Sequence, residues 1–594
     1  MSSFRRLLGF TMLLSWVVTT LGFVGVAQQV VAQTSSVDAY IATESPAAKA
    51  GVLANIGPSG AKCQGAKAGV VIASPSNTNP DYVFTWTRDS SLVFKMLIDQ
   101  YTLAIDSSAS LRTLIDQFVA AEASLQQTSN PSGLISTGGL GEPKFNIDGS
   151  AFTGPWGRPQ RDGPALRATA LITYANWLIK NSNTTFAEST LWPIIKLDLD
   201  YVAINWNLTT FDLWEEIDSS SFFTTAVQHR ALREGITLAN TLGVSSSVTA
   251  YPTQADNILC FLQSFWHPSG SMPFMTANTG GGRSGIDANT VLASIHTFDP
   301  QAGCDSTTFQ PCSDHALANL LAYTQAFRSV YSINANLAST AALATGRYPE
   351  DVYMGGNPWY LATFAVAEQL YDALEVWNSQ GSLQVTSLSQ PFFALFDSSI
   401  APGTFASSTS TFTTLTTAIK AYADSYIALA AKFTPSNGGL AEQYSRDDGS
   451  PLSAVDLTWS YASALTVFEA RSGTKFASWG AKGLTVSSQC ATNAGGNGET
   501  IPVTFNVDAT TVLGENIYIA GSVNALQDWD ADNALLLSSA NYPIWSITVN
   551  LPANTIVQYK YIRKDGGSVT WESDPNNQFT TNGSGAQTLN DSWR

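Results

Sequence analysis

The apolar residues of this chain change their spacing near residue 480, and this change limits the possible folds more than any other feature. Between about residues 85 and 470 they recur at steps of three and four, the spacing of one helix face. The stretch 413–433 shows this pattern in Leu415, Ile419, Tyr422 and Tyr426. Beyond 500 they alternate with a period of two, as in 503–507. The sequence therefore predicts a large helical domain followed by a small antiparallel β-domain.

The last helix of the first domain has a candidate start signal. Ser453 is followed three residues later by Asp456, and apolar residues at helical spacing come next. This arrangement resembles a capping box, so we expect the helix to begin there. Long loops rich in glycine and proline, such as 153–168, separate the helices. Loops of this length in a compact domain usually carry function.

Composition indicates which partners the chain can have. It carries 46 acidic and 29 basic residues, a net charge of −17, which repels nucleic acid and anionic lipid surfaces. We therefore expect neither as a partner. Sixteen tryptophans and 20 tyrosines favour sugar binding, because aromatic rings stack on pyranose rings. Many of these rings are nevertheless expected to be ordinary core or surface residues.

Residues 1–33 have the pattern of a secretory signal. Arg5 and Arg6 precede an apolar run that ends near the small residues Ala27 and Ala32. A membrane span is the alternative, but the N-terminal position favours export. The sequence thus predicts a secreted, extracellular protein. Four glycosylation sequons agree with this prediction, at Asn183, Asn207, Asn582 and Asn590.

The five cysteines predict two disulfides in an oxidising compartment. Cys304 and Cys312 can close a short loop, which leaves Cys260 and Cys490 as candidates for a long-range bridge. Cys63 is then unpaired and is expected to be buried. Since the chain has no C-x-x-C pair and its four histidines lie far apart in sequence, we expect no metal site.

Three carboxylates surround Trp214 in the stretch 211–223: Asp212, Glu215 and Glu216. If 211–218 is helical, the three lie on one side, and their repulsion and partial desolvation raise at least one pKa. A general acid requires such a raised pKa. The alternative is an acidic first turn that complements the helix dipole.

Cleavage of a glycosidic bond usually requires a second carboxyl group. Glu442 lies in a glycine-flanked loop just before the last helix, whereas the nearby Asp447 and Asp448 are typical turn formers. Arg88 and Asp89 could hold sugar hydroxyls or form a surface ion pair.

The chain resembles the secreted, fungal-type glucoamylases of glycoside hydrolase family 15 over residues 36–480. Nine ordered blocks carry this resemblance, at 82–91, 139–146, 153–168, 211–216 (FDLWEE), 221–232, 294–300 (SIHTFDP), 346–353 (GRYPEDVY), 356–363 (GNPWYLAT) and 457–462. From 502 onward, GENIYIAGSV, YKYIRKDG and WESDPNN are similar to a family 20 starch-binding module.

The resemblance implies an (α/α)6 barrel over residues 34–480, a short linker at 481–501 and a β-sandwich starch-binding module at 502–594. It implies a monomeric enzyme without a cofactor that releases β-D-glucose from non-reducing ends of starch and maltooligosaccharides, with inversion. Glu215 would be the general acid and Glu442 the general base. The linker is shorter than the stalk of many relatives, and Leu440 and Ala441 stand where relatives often have hydroxyl residues.

Further roles follow from the same blocks. Substrate contacts are implied for Tyr82, Trp86, Arg88, Asp89, Lys144, Trp156, Arg158, Asp212, Glu216, Arg347, Asp351 and Trp359. Asp212 would also influence the ionisation of the acid. In the module, one starch site would comprise Trp529, Lys560, Trp571 and Asn576, and a second Tyr518 and Tyr542.

Two other functions remain open at this point. One is a catalytically silent starch-binding protein, which the presence of both Glu215 and Glu442 argues against. The other is a related helical-barrel hydrolase of another α-glucan or of trehalose, which the starch-binding module disfavours.

Overall fold

The computed structural model describes residues 36–268, 272–486, 490, 500–512, 514–552, 556–565, 568–582 and 585–594. The chain forms two compact units, one ending at Thr485 and the other beginning at Val486. The predicted signal segment and most of the predicted linker lie outside the described residues.

Within the described residues, the first unit has twelve helices of at least nine residues. They are α1 (36–54), α2 (Thr87–Thr102), α3 (Ala109–Gln127), α4 (Asp162–Lys180), α5 (Trp192–Asn205), α6 (Phe222–Thr241), α7 (Tyr251–Leu262), α8 (Ala288–His296), α9 (Asp314–Ala326), α10 (Tyr360–Gln380), α11 (Ser410–Phe433) and α12 (Thr458–Ser472).

Six of these helices close into a ring. Helix α2 packs on α4, α4 on α6, α6 on α8, α8 on α10, α10 on α12, and α12 again on α2. The helix that follows each of the first five ring members, from α3 to α11, packs on that member from outside. This double ring confirms the predicted (α/α)6 barrel.

Burial distinguishes the inner from the outer helices. The inner helix α10 buries 17 of its 21 residues, whereas the outer helix α11 buries nine of its 24. The buried side of α11 includes Leu415, Ile419, Tyr422 and Tyr426, as their spacing predicts. The periodicity of the sequence thus locates the buried face of α11 correctly.

Short antiparallel strand pairs shape the loops between helices. They are β1 (Thr85–Trp86) with β2 (Lys144–Phe145), β3 (Thr210–Phe211) with β4 (Asp218–Ser219), β5 (Trp266–His267) with β6 (Phe274–Met275), β7 (Ser382–Val385) with β8 (Gly403–Ala406), and β9 (Gln443–Tyr444) with β10 (Pro451–Leu452). Two of them hold the candidate catalytic carboxylates.

The expectation of a helix at 211–218 is wrong, because these residues form the β3–β4 hairpin. The carboxylate Oδ1 of Asp212 accepts the backbone N–H groups of Glu216 (2.9 Å) and Ile217 (3.3 Å), an alternative to helical bonding that aspartate favours. Glu215 has a φ of 67°, in the left-handed region that a helix excludes.

The expected capping box at Ser453 is also wrong. Helix α12 begins at Thr458 after Leu457, and no side chain caps it. Ser453 and Asp456 have φ values of 63° and 49° and lie in the preceding loop. Asp456 instead accepts a hydrogen bond from Lys62 at 2.7 Å.

The second unit is a β-sandwich. One sheet contains β11 (Thr500–Asp508), β14 (Ser538–Asn541), β15 (Ile544–Pro552) and β19 (Gln587–Ser592), and the other contains β12 (Asn516–Gly521), β13 (Leu535–Leu536), β16 (Ile556–Asp565), β17 (Ser568–Trp571) and β18 (Asn577–Thr580). The pairing of β11 with β19 is parallel, unlike the antiparallel pairs around it. The alternating apolar residues, including Val503, Phe505 and Tyr559, fill the core.

The two cysteines of the predicted short loop are paired. Cys304 and Cys312 form a disulfide, Cys63 is free and buried, and Cys260 and Cys490 are each disulfide-bonded. In the part of the chain that the structure describes, no helix combines the length and apolarity needed to cross a membrane.

Candidate active site

The candidate site is a cavity of about 650 Å³ in the first unit. The chain segments that line it come just before inner helices: 80–86 before α2, 152–157 before α4, 213–216 before α6, 353–359 before α10 and 442–457 before α12. The cavity therefore lies at the N-terminal end of the inner ring. The positive ends of helix dipoles favour carboxylates at such a position.

Glu215 and Glu442 both line this cavity. They are 227 positions apart in the chain (442 minus 215), and the two hairpins at the same end of the barrel bring them to one space.

Glu215 is held through one of its two carboxyl oxygens. Its Oε1 accepts hydrogen bonds from Trp86 Nε1 (2.7 Å) and Gln160 Nε2 (3.0 Å), and Arg88 Nη2 lies 3.4 Å away. Among the described residues, none donates to Oε2. A proton on the Glu215 carboxyl group is consequently favoured on Oε2, since the donors already satisfy Oε1.

Glu442 is almost fully buried, with 1% of its surface exposed. Burial raises its pKa to about 7, while the hydroxyl of Ser453, the charge of Arg347 and the hydroxyl of Tyr82 oppose this rise. Ser453 Oγ donates to Oε2, and Gln443 Nε2 donates to the same oxygen at 3.3 Å. These donors stabilise the ionised form, which a general base requires.

Arg347 and Glu216 form a charged clamp at the cavity wall. Arg347 binds Asp351 through two hydrogen bonds, of 2.8 and 2.6 Å, and its Nη2 lies 2.9 Å from Glu216 Oε1. Tyr348 and Arg283 contact the other oxygen of Glu216. Partial burial would raise the pKa of Glu216, but Arg347, Tyr348 and Arg283 together hold it below its usual value.

Arg88 and Asp89 form a second polar group in the cavity. Arg88 donates to Gln160 Oε1 at 2.8 Å and to Asp162 at 3.0 Å, and it is buried, so it is not a surface ion pair. Burial raises the pKa of Asp89 to about 6, and the charge of Arg88 opposes this effect. Both side chains can bond sugar hydroxyls.

Aromatic rings form the rest of the wall. Trp86 packs against Tyr82 and Trp156, and Trp214 packs against Trp359, with centroid distances of 5.4 to 5.8 Å. Lys144 Nζ lies 3.6 Å from the centroid of the Trp156 ring, and burial lowers its pKa to about 8. The wall can stack on a sugar ring and hydrogen-bond its edge.

Three residues with an implied substrate contact lie outside the cavity lining: Arg158, Asp212 and Asp351. Arg158 bonds Glu142 (2.7 Å) and two loop carbonyls. Asp212 is buried beneath the hairpin, and burial raises its pKa despite the backbone N–H groups that bond it. The structure thus places these side chains where they support the site residues.

Sequence reasoning missed several residues of the site. Gln160 lies inside one of the blocks that carry the resemblance, but a single uncharged residue gives no chemical signal. Tyr348 and Tyr353 likewise have no feature that distinguishes them from core tyrosines, although Tyr353 lines the cavity and bonds Tyr82 at 2.7 Å. Ser453 does have a signal, but its spacing from Asp456 indicates a helix cap.

In the second unit, the two tryptophans predicted to bind starch are neighbours. Trp529 and Trp571 have ring centroids 6.3 Å apart, and Trp571 is 37% exposed. Lys560 lies two residues from Ile562, the partner of Trp571 in the sheet, and therefore on the same face. Asn576 bonds Gln558, a neighbour of Lys560 on β16.

The two residues of the second implied starch site come from segments of different sheets. Tyr518 is paired with Ile562, so it shares the sheet face of Lys560 and Trp571. Tyr542 lies at the turn between β14 and β15 of the other sheet, with its hydroxyl near Thr511.

Two carboxylates and an aromatic wall in a cavity at one end of a helical barrel are typical of a glycoside hydrolase. The model of the family Glycosyl hydrolases family 15 matches residues 46–469, and that of the Starch binding domain matches residues 500–591. The chain belongs to glycosyl hydrolase family 15 and carries a starch-binding domain at its C-terminal side.

Proteins of similar sequence agree. The chain is 60% identical to Glucoamylase-1 of Schizophyllum commune over 577 residues, covering 97% of this chain and 99% of that protein. It is 47% identical to Glucoamylase of Neurospora crassa over 600 residues, covering 94% of each.

Solved structures agree as well. The family 15 glucoamylase from Hypocrea jecorina superposes with a TM-score of 0.74 at 47% identity, covering 94% of this chain and all of that one. The glucoamylase from Saccharomycopsis fibuligera gives 0.68 at 30% identity and covers 73% of this chain and 95% of that one.

Proposed function

We propose that this chain is a glucan 1,4-α-glucosidase, or glucoamylase, that releases β-D-glucose from non-reducing ends of starch and maltooligosaccharides with inversion. It cleaves α-1,4 bonds and, more slowly, α-1,6 bonds. The observation that carries the mechanism is the presence of Glu215 and Glu442 in one cavity.

Glu215 acts as the general acid. Its Oε1 is already bonded by Trp86 and Gln160, so Oε2 holds the proton that is transferred to the glycosidic oxygen as the bond breaks. Arg88, 3.4 Å from Oε1, compensates the negative charge that remains on the carboxylate.

Glu442 acts as the general base. It removes a proton from the water that attacks the anomeric carbon from the opposite side, which requires a separation of about 6.5–9.5 Å between the two carboxyl groups. Its hydrogen bond from Ser453 keeps the carboxylate oriented and favours ionisation in a buried position.

The remaining groups hold the terminal sugar. Arg88, Asp89, Arg347 and Glu216 bind its hydroxyls, and Trp156 stacks on it near the acid. Asp351 fixes Arg347, Asp212 fixes the hairpin of Glu215, and Arg158 fixes the loop at 152–158. A clamp of this kind positions the anomeric carbon between acid and base.

The second unit supplies a starch-binding surface. Trp529, Lys560, Trp571 and Asn576 form one site, supported by the proximity of the two tryptophan rings, and Tyr518 and Tyr542 form a second. Starch bound there raises the local concentration of chain ends for the first unit.

The protein is proposed to be secreted as a monomer after removal of residues 1–33. Asn183, Asn207, Asn582 and Asn590 are all exposed, which suits glycosylation on export. The long-range bridge between Cys260 and Cys490 belongs to the same proposal.

An NMR time course of the products formed from maltoheptaose tests the function. We expect β-glucose as the first product. Initial α-glucose would mean retention, short oligosaccharides would mean internal cleavage, and no product would mean a silent starch-binding protein. Each of these three results would contradict the proposal.

A further inference from the structure

Asp287 is a buried carboxyl group outside the cavity lining, with 2% of its surface exposed. Its Oδ1 accepts a hydrogen bond from the indole Nε1 of Trp214 at 2.8 Å. The same oxygen accepts the backbone N–H of Asn289 at 2.8 Å and so caps α8. One carboxyl oxygen therefore ties a cavity-wall tryptophan to the start of an inner helix.

Trp214 is the residue immediately before Glu215. An indole has a single N–H donor, and in Trp214 this donor points to Asp287, which fixes the rotation of the ring. The ring also packs on Trp359, with 5.5 Å between centroids. Because Glu215 occupies a left-handed backbone position, the direction of its side chain depends on how firmly its neighbours are held.

The start of α8 also contacts Arg347, a member of the charged clamp. The N–H of Ala288, next to Asp287, donates to the backbone carbonyl of Arg347 at 2.7 Å. The guanidinium of Arg347, however, is held independently by its two bonds to Asp351. Loss of the Asp287 carboxyl group should accordingly disturb Trp214 more than Arg347.

We propose that Asp287 is a positioning residue for the general acid: its Oδ1 orients Trp214, and Trp214 in turn directs the carboxyl group of Glu215 towards the glycosidic oxygen. This inference rests on the proposed function, since it requires Glu215 to be the acid. Asp287 itself does not touch the substrate.

The charge of Asp287 is not needed for this role. Burial raises its pKa to about 8, against the opposing hydrogen bonds from Asn289 and Trp214, so the group is neutral in weakly acidic solution. Asparagine has the same shape, keeps Oδ1 as an acceptor and is a good helix N-cap. The substitution Asp287→Asn should therefore preserve what Asp287→Ala removes.

The kinetic test compares four variants on maltose: Asp287→Ala, Asp287→Asn, Trp214→Phe and the double variant Asp287→Ala/Trp214→Phe. We expect Asp287→Ala to lower kcat by about tenfold to a hundredfold, the scale of a small misplacement of a reacting group, with a much smaller change in KM. Asp287→Asn should keep a kcat close to that of the unmodified protein. The kcat of the double variant should be no lower than that of the less active single variant, because both substitutions remove the same hydrogen bond.

A matched control separates positioning from helix capping. Ser313 caps α9 by accepting the backbone N–H of Ala316 at 3.1 Å, is buried, and does not line the cavity. Ser313→Ala should lower the melting temperature without changing kcat. An equal kcat in Asp287→Ala and Ser313→Ala would overturn the proposal, as would a loss in Asp287→Asn as large as in Asp287→Ala, or additive losses in the double variant.

A second readout does not depend on catalysis. In protein labelled with ¹⁵N-tryptophan, the indole signal missing from Trp214→Phe belongs to Trp214. We expect Asp287→Ala to shift this signal and to speed its exchange with solvent, whereas Asp287→Asn leaves it nearly unchanged. An unaffected signal would overturn the proposal even if the enzyme proved to have another activity.

If Asp287→Ala does not fold, Trp214→Phe decides the matter, because it removes the indole donor and leaves a smaller aromatic ring in the cavity wall. An unchanged kcat in that variant would then overturn the proposal. Failure of the proposed function looks different: the unmodified protein would produce no β-glucose, while the indole signal would still report on the contact.

Discussion

Ser453 lies eleven residues after Glu442 in the chain and donates its hydroxyl hydrogen to Glu442 Oε2 across the β9–β10 hairpin. Glu442 is buried, and burial alone favours its neutral form. The Ser453 bond favours the carboxylate instead, as do the charge of Arg347 and the hydroxyl of Tyr82.

Ser453→Ala should therefore shift the acidic limb of the kcat/KM profile to higher pH. Burial has raised the pKa of Glu442, and removing a donor to the carboxylate raises it further, so a higher pH is needed to ionise the base. A hydrogen bond to a charged group contributes about 1.5 kcal/mol or more, which corresponds to a shift of about one pH unit.

The pH dependence of kcat/KM on maltose measures this shift. Ser450→Ala is the control, because Ser450 lies in the same hairpin but is exposed, and among the described residues its hydroxyl bonds only Asp448. An unshifted acidic limb in Ser453→Ala would show that the hydroxyl does not control the base.

Gln160→Ala should lower kcat on maltose by about tenfold to a hundredfold, since Gln160 bonds both Glu215 Oε1 (3.0 Å) and Arg88 (2.8 Å). Gln228→Ala serves as the control: this buried glutamine bonds a backbone carbonyl at 3.1 Å and does not line the cavity. Steady-state kinetics on samples with equal folded fractions compare the two variants. Equal kcat values would show that Gln160 does not contribute to the positioning of Glu215.

Trp571→Ala should weaken binding to granular starch by about tenfold, the usual scale for losing an exposed aromatic contact residue. Activity on maltose should not change, because the cavity belongs to the other unit. Val569→Ala is the matched control on the same strand and face, since Val569 is exposed but has no ring. Sedimentation with starch granules measures the bound fraction, and full binding by Trp571→Ala would contradict the proposed surface.

Glu368→Gln should make stability less sensitive to pH. Burial and the neighbouring Glu469 raise the pKa of Glu368 to about 8, against a hydrogen bond from Thr466. The folded state thus prefers the protonated carboxyl group. This preference stabilises the folded state fully below about pH 4.5, and the stabilisation is lost as the pH rises through about 8.

Melting temperatures at pH 5 and pH 8.5 test this expectation. The unmodified protein should lose stability between the two values, and Glu368→Gln should lose less. Glu188→Gln, at an exposed carboxylate, should behave like the unmodified protein. A Glu368→Gln variant with the same loss as the unmodified protein would mean that this carboxyl group does not set the trend.

Periodicity was sufficient to predict a helical domain followed by a β-domain, because burial imposes a period on apolar residues, as Leu415 and Ile419 show on α11 and Val503 on β11. The arrangement of the helices in a barrel came from the resemblance. The resemblance further identified Glu215 and Glu442, which the structure places in one cavity. Both successes concern features that many residues specify together.

The errors concern single side chains whose hydrogen-bond partners are set by a hairpin rather than by helical spacing. Asp212 bonds backbone N–H groups of its own hairpin, so the local carboxylate spacing that indicates a helix is misleading. Ser453 bonds Glu442 rather than a helix terminus. Such contacts follow from the register of hairpins and sheets, which short-range patterns do not determine.

The roles of the two carboxyl groups are tested most directly by kcat/KM for Glu215→Gln and Glu442→Gln on two substrates. On maltose, both variants should lose about two to four orders of magnitude. α-D-Glucosyl fluoride has a leaving group that needs little protonation, so Glu215→Gln should recover much of its activity on it while Glu442→Gln should not. Recovery by Glu442→Gln instead, or equal losses of both variants on both substrates, would contradict the assignment of acid and base.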